Sequence, residues 1–235
     1  MIANAVRVGT MTDSKKVLYI GGHGKIGLLT TPKLVEKGHA VHSLVRNPDY
    51  KEELEGLGAT PVIADITKLS SQDWAELADG FDVVVWGAGN GGRGAAALTF
   101  AVDQDGAIAA VEGLESLGDE APRFIMISYM GATTNEVEND GGSWYAYVES
   151  KKNADNRINA SSLDSVILGP GVLTEDATTG ITVSDPGSTR DSDVETPREL
   201  VADVIAEIIN EDKVPPHSPL EFYTGDKPVS SIWES

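Results

Sequence analysis

The chain has 235 residues, of which 40% are hydrophobic and 25 are glycine, enough apolar material for one large domain with a buried core and too little length for two full domains. Lys and Arg number 18 against 37 Asp and Glu, a formal net charge of -19, which opposes nucleic acid and anionic membranes as partners. There is no cysteine, so disulfides, thiolate metal sites and cysteine nucleophiles are excluded and a cytoplasmic location is expected.

Residues 1–14 read as an N-terminal extension; Met1–Thr10 holds one Arg and no long apolar stretch, unlike a signal peptide, and Met11 offers a second start. No apolar run further along is long enough to span a bilayer. Val17–Ile20 predicts a strand that meets Gly21-Gly22-His23-Gly24-Lys25-Ile26-Gly27, after which Ile26–Lys37 has helical spacing and stops at Gly38. The unit then repeats: strand Ala40–Val45, helix Asp49–Leu57, strand Thr60–Ala64, and a helix Ser70–Ala78 with Ser70 and Asp73 in capping positions. A strand Asp82–Trp86 follows, then a long helix within Ala95–Leu117 ended by Gly118, a strand Arg123–Ser128, a helix Ser143–Ala160 and a sixth strand Ser165–Leu168. Continuous apolar strands such as Val83-Val84-Val85 belong to parallel sheets covered on both faces. The alternation therefore predicts an α/β, doubly wound parallel sheet, the Rossmann fold, over residues 15–235. Thr174–Glu195 is polar and acidic apart from Ile181-Thr182-Val183, and reads as a lid or substrate loop. A helix from Thr196-Pro197 through Asn210 and a strand Leu220–Thr224 complete the chain.

Gly21-x-x-Gly24-x-x-Gly27 sits where the first strand feeds a helix. Small residues there let the turn tighten and backbone N–H groups approach a pyrophosphate, and the helix N-terminus favours negative charge. A dinucleotide enzyme that uses NAD(H) usually carries an acid at the end of the second strand for the ribose 2′-OH. Ser43-Leu44-Val45-Arg46 has none, and the Arg46 guanidinium suits a 2′-phosphate, so NADP(H) is the expected cofactor and NAD(H) the alternative. Tyr147 and Lys151 are one helical turn apart and share a face. His39 and His42, three apart on a strand, point to opposite faces and His217 stands among prolines, so no metal site is expected.

These features stand in a particular order with Val45-Arg46-Asn47-Pro48, Ala64-Asp65-Ile66, Trp86-Gly87-Ala88-Gly89, Val102-Asp103-x-x-Gly106, Ile127-Ser128 and Gly169-Pro170-Gly171. The sequence thereby resembles the atypical, NAD(P)H-binding branch of the short-chain dehydrogenase/reductase superfamily, with relatives among flavin reductases and NmrA-like proteins, from about Lys15 to Trp233. The resemblance implies cofactor contacts at Gly21, Gly24, Lys25, Ile26, Gly27 and Arg46, at Asp65 and Ile66 beside the adenine, and at Gly87, Ala88 and Gly89 beside a ribose. It adds Pro170, Gly171 and Val172, and Lys151 on the nicotinamide ribose. It also implies a catalytic set in which Tyr147 exchanges the substrate proton, Lys151 lowers its pKa and Ser128 orients the carbonyl. The sequence departs from the family in the long Ser128–Tyr147 spacing, in Tyr129 where a second serine is common, and in Gly169 where many relatives have arginine.

The expected function is an NADP(H)-binding oxidoreductase that reduces a small carbonyl, quinone or flavin-like acceptor, with a small molecule as its partner. The alternative is a non-catalytic NADP(H)-binding redox sensor. An NAD-dependent sugar epimerase or dehydratase is disfavoured, because only 64 residues follow Gly171 to form a sugar-binding region.

Overall fold

The structure, a computed structural model, describes residues 13–89, 91, 95–185 and 194–234. Most of the expected N-terminal extension, residues 1–12, and residues 186–193 of the expected lid loop lie outside the described residues. The elements run β1 (Lys16–Ile20), α1 (Lys25–Glu36), β2 (Ala40–Val45), α2 (Lys51–Gly56), β3 (Thr60–Ile63), α3 (Ser71–Ala78) and β4 (Val83–Trp86). Next, α4 (Ala96–Thr99) continues through a π-helical segment, Phe100–Asp105, into α5 (Gly106–Glu115). They are followed by β5 (Arg123–Ile127), α6 (Ser143–Asn159), β6 (Ser165–Pro170), β7 (Val172–Thr174), β8 (Ile181–Val183), β9 (Glu195–Pro197), α7 (Arg198–Glu211) and β10 (Leu220–Thr224).

Eight strands form one sheet in the order β3-β2-β1-β4-β5-β6-β10-β8. All neighbours are parallel except β8, which runs antiparallel to β10 at the edge. The order reverses at β1, so the crevice beyond the carboxyl ends of β1 and β4 is where a doubly wound sheet binds its ligand. The continuous apolar runs are explained by the pleat. Val17 and Tyr19 of β1 enter one core with Leu34 of α1 and Val201, Val204 and Ile208 of α7, whereas Leu18 and Ile20 enter the other with Trp74 of α3, Leu114 of α5 and Ile158 of α6. The Ser70–Asp73 capping box forms as expected: each side chain bonds the other residue's backbone N–H.

Among the boundaries that shift from the sequence reading, two have a tertiary cause. The helix expected from Thr196-Pro197 begins at Arg198, because Thr196 is held in β9: its Oγ1 accepts from Gly171 N at 2.9 Å and donates to the Phe222 carbonyl at 3.1 Å. The sixth strand runs on past Leu168 to Pro170, since β10 pairs with it through Phe222 and Pro170. Within the expected loop, Ile181–Val183 is the edge strand β8 and Ile181 is buried. His39 is used structurally, with its ring 2.8 Å from Asn210 Oδ1 and Lys15 N 3.0 Å away, while His42 meets the Phe81 ring edge-on. Among the described residues no group of three His, Asp or Glu is placed to hold a metal, and no helix is long and apolar enough to cross a membrane.

Candidate functional site

The glycine turn is built by close approach of three strand ends. Gly21 has φ +80°, and a Cβ there would fall 2.8 Å from the Ala88 backbone; one on Gly22 would fall 2.5 Å from the Ser43 Cβ. Only glycine at these positions lets the ends of β1, β2 and β4 meet. Gly27 packs its backbone on the Gly22 carbonyl, where a Cβ would be 2.6 Å from the oxygen. Gly24, by contrast, is exposed and caps α1 with ordinary extended angles. No acidic residue occupies the first turn of α1, so the positive end of that helix faces the crevice uncompensated.

The crevice has a volume of about 500 Å³ and is lined by Gly21, Gly24, Arg46, Asp65, Ile66 and the Gly87–Gly89 segment. Arg46 is exposed at the end of β2 and has no ion-pair partner among the described residues. Asp65 accepts from Thr67 N at 3.2 Å and Thr67 Oγ1 at 2.8 Å, and the Thr67 hydrogen bonds hold its carboxyl below the usual range. Two wall residues, His23 in the turn and Tyr50 after β2, had no sequence signal of their own. The His23 ring lies flat on Tyr50 at 3.5 Å and bonds Glu53 at 2.7 Å, and both rings line the crevice.

A second cleft, of about 770 Å³, opens at the ends of β5 and β6, with Ser128, Tyr147, Pro170, Gly171, Val172 and Arg198 on its walls. Tyr147 stacks between Tyr129 at 5.6 Å and Trp144 at 5.7 Å. Burial pushes its hydroxyl pKa up, with the Lys151 charge pulling the other way. Lys151 itself lies beneath the cleft rather than on its wall. Its Nζ is 3.3 Å from Asp103 Oδ1 and donates to the Ile127 carbonyl at 3.2 Å. A Cβ on Gly89 would be 2.8 Å from Asp103 Oδ1 and 3.8 Å from Lys151 Nζ, so this strand-end glycine joins the first crevice to the Lys151 pair. Burial alone would lower the Lys151 ammonium, but the charges of Asp103, Tyr147 and Asp155 raise it. It is a permanent cation at neutral pH.

The cradle fits a dinucleotide: close-packed glycines, a helix N-terminus with no acid in its first turn, and a buried lysine beneath the strand-end Gly89. A model of an NAD(P)H-binding family matches residues 21–212. The chain belongs to this NAD(P)H-binding family. A Bacillus subtilis relative named as an uncharacterised sugar epimerase is 34% identical over 166 residues, covering 70% of this chain and 75% of the relative. An uncharacterised-family protein of Saccharomyces cerevisiae is 31% identical over 172 residues, covering 71% and 73%. Among solved structures, a candidate NAD-dependent epimerase/dehydratase from Bacillus halodurans matches with TM-score 0.80 and 30% identity over 94% of this chain and 99% of the other. A Veillonella parvula short-chain dehydrogenase/reductase in complex with NADP shares the fold, with TM-score 0.66 and 18% identity over 91% and 98%.

In this NAD(P)H-binding protein the residues expected from sequence divide into groups. Gly21, Gly24, Arg46, Asp65, Ile66, Gly87, Ala88 and Gly89 share the first crevice, and Ser128, Tyr147, Pro170, Gly171 and Val172 share the second. Ile26 packs on the core and Gly27 is buried under the turn. Lys25 points away to Glu175 at 2.6 Å, and Glu175 also holds Arg198 at 2.7 Å. Asp103 and Asp155 were missed as site residues. Both are fully buried, and the signal for Asp155 was its place one turn after Lys151 on the Tyr147 face of α6.

Proposed function

We propose that the protein is an NADPH-dependent reductase of a small carbonyl, quinone or flavin-like acceptor. One observation carries this reading: Gly89, on the wall of the dinucleotide crevice, stands over the Lys151–Asp103 pair, and Lys151 lies one turn along α6 from Tyr147 on the wall of the second cleft. The bound dinucleotide supplies the hydride. The chain binds, orients and provides the proton. Arg46 meets the 2′-phosphate at a strand end that carries no acid, which favours NADPH over NADH. Trp144, Tyr147 and Tyr129, stacked on one another, give the cleft an aromatic lining for an apolar, planar acceptor. Tyr147 keeps its proton at neutral pH, since burial raises its pKa, and can hydrogen-bond the acceptor oxygen as negative charge develops on it.

The test is NADPH and NADH titration of wild type and Arg46→Ala, followed by turnover on a panel of carbonyl, quinone and flavin acceptors with wild type and Tyr147→Phe. NADPH is expected to bind more tightly than NADH, and Arg46→Ala to remove that preference. Tyr147→Phe should leave NADPH affinity nearly intact and lower carbonyl turnover by roughly 10². Tight NADPH binding with no acceptor reduced would overturn the reductase reading in favour of redox sensing.

A further inference from the structure

Beneath the second cleft lies a carboxyl that the reductase scheme has not used. Asp155 is fully buried on α6, and its Oδ2 accepts a 2.6 Å hydrogen bond from Ser128 Oγ at the cleft wall. Its other oxygen, Oδ1, has no hydrogen-bond partner among the described residues. A buried carboxylate is normally neutralised by a cation. The cation at hand, Lys151, is instead committed to Asp103 and the Ile127 carbonyl. We propose that Asp155 is the proton reserve of the site, and that it delivers its proton through the Ser128 hydroxyl to the acceptor bound in the larger cleft. The proposal rests on the reductase reading above.

The hydroxyl of Ser128 can point two ways, and Asp155 decides which. With Asp155 ionised, Ser128 donates inward, as in the structure, and offers the cleft only lone pairs. With Asp155 protonated, the carboxyl O–H donates to Ser128 Oγ and the Ser128 proton turns to the acceptor. When hydride reaches a carbonyl carbon, the Ser128 O–H bond breaks as that proton joins the new alkoxide, and the Asp155 O–H bond breaks as its proton replaces the one lost from Oγ. Ser128 ends neutral, Asp155 ends as carboxylate, and water in the cleft returns one proton along the same two oxygens. Ser128 touches the acceptor; Asp155 acts through it.

Burial pushes the Asp155 pKa up to about 6, against the Ser128 hydrogen bond and the Lys151 charge. The other titratable groups around it are Tyr147 on α6, Tyr129 beyond β5, and Asp103 on the π-helical segment behind Lys151. Tyr129, like Tyr147, has its pKa raised by burial, so near neutral pH Asp155 is the group that changes state. A proton donor works only when protonated, so the rate is highest below pH 6 and falls as pH rises through that value.

The decisive measurement is the single-turnover rate of carbonyl reduction against pH, with NADPH affinity read separately by fluorescence. Wild type is expected to lose up to tenfold in rate per pH unit above about 6. Asp155→Asn should lower the rate at low pH at least tenfold, abolish that limb, and bind NADPH within twofold of wild type. Ser128→Ala should do the same, Ser128→Thr should restore the limb, and the Asp155→Asn/Ser128→Ala double variant should be no slower than Ser128→Ala. If Asp155→Asn does not fold, the Ser128 pair of variants decides alone. An enzyme that turns over with the limb unchanged in Asp155→Asn or in Ser128→Ala overturns the relay while leaving the reductase intact. A protein that binds NADPH and reduces no acceptor overturns both.

Discussion

Removing the Lys151 amine should be among the most damaging single changes in this protein, and the reason is the charge left behind. Asp103 is fully buried, the Lys151 side chain is 6% exposed, and their atoms are 3.3 Å apart. A pair at this depth contributes little net stability, because desolvation of both ions offsets their attraction. Breaking it leaves one ion buried without compensation. Lys151→Met keeps the volume of the stem and removes the charge, so the expected loss is about 3–5 kcal/mol, a large fraction of the roughly 5–15 kcal/mol that holds a domain folded. For a chain of this size that is a drop in Tm of roughly 6–20 °C. The double variant Lys151→Met/Asp103→Leu should recover most of it, since no orphan charge remains. The pH dependence has a fixed sign. The Lys151 pKa is raised in the folded state, so its contribution is complete below the ordinary lysine value of about 10.4 and is lost as pH rises through the folded value. The gap between wild type and Lys151→Met should therefore be constant through neutral pH and narrow only in strong alkali. Urea unfolding at pH 7 and pH 11 measures it. Equal losses in the single and double variants would refute the reasoning, because the damage would then come from packing.

Two further outcomes concern the cradle and the surface. Gly24→Val should fold within about 1 kcal/mol of wild type, since its cap angles suit any residue and a Cβ meets only the Gly21 oxygen at 3.1 Å; it should nevertheless lose NADPH binding, whereas Gly27→Val, with 2.6 Å to the Gly22 oxygen, should fail to fold, as circular dichroism and titration will distinguish. The net charge of -19 repels an anionic dinucleotide at long range, so the NADPH association rate should rise between low salt and about 0.15 M salt as the field is screened within about 8 Å; stopped-flow rates that fall with salt would mean that Arg46 and the α1 terminus dominate the approach.

Most of the sheet was legible because its chemistry is local and repeated. Apolar runs, glycine stops and the Ser70–Asp73 cap each act within a few residues, and each βα unit restates the last. The first crevice was legible for the same reason, since the glycine turn and the end of β2 lie within 26 residues of one another. The second cleft depends on distant partners. β9 exists because Thr196 reaches Gly171 and Phe222, and neither contact has a sequence period. The orientation of the Ser128 hydroxyl depends on Asp155, 27 positions away. The ion pair between Lys25 and Glu175, 150 positions later, likewise has no sequence signal.

The least legible feature is the one that places Asp103 beside Lys151. Residues Ala95–Leu117 read as a single helix, yet its middle is π-helical, and the Gly106 N–H bonds back to the Ala101 carbonyl, five residues earlier. A π segment inserts one residue into the helical repeat, which rotates the turns before it by about 100° relative to the turns after it. Asp103 lies inside that segment, fully buried and in contact with Lys151. Gly106 lets the segment close, because a Cβ there would sit 3.2 Å from the Ala101 oxygen and 3.4 Å from the Ile66 oxygen. The wider turn thus delivers a carboxylate beneath Gly89 while α5 keeps Ala107, Ala110 and Leu114 on the core. Asp103 then occupies Lys151, and an occupied Lys151 leaves Asp155 with Ser128 as its hydrogen-bond partner among the described residues. One irregular helical turn thus places the carboxylate that pairs with Lys151.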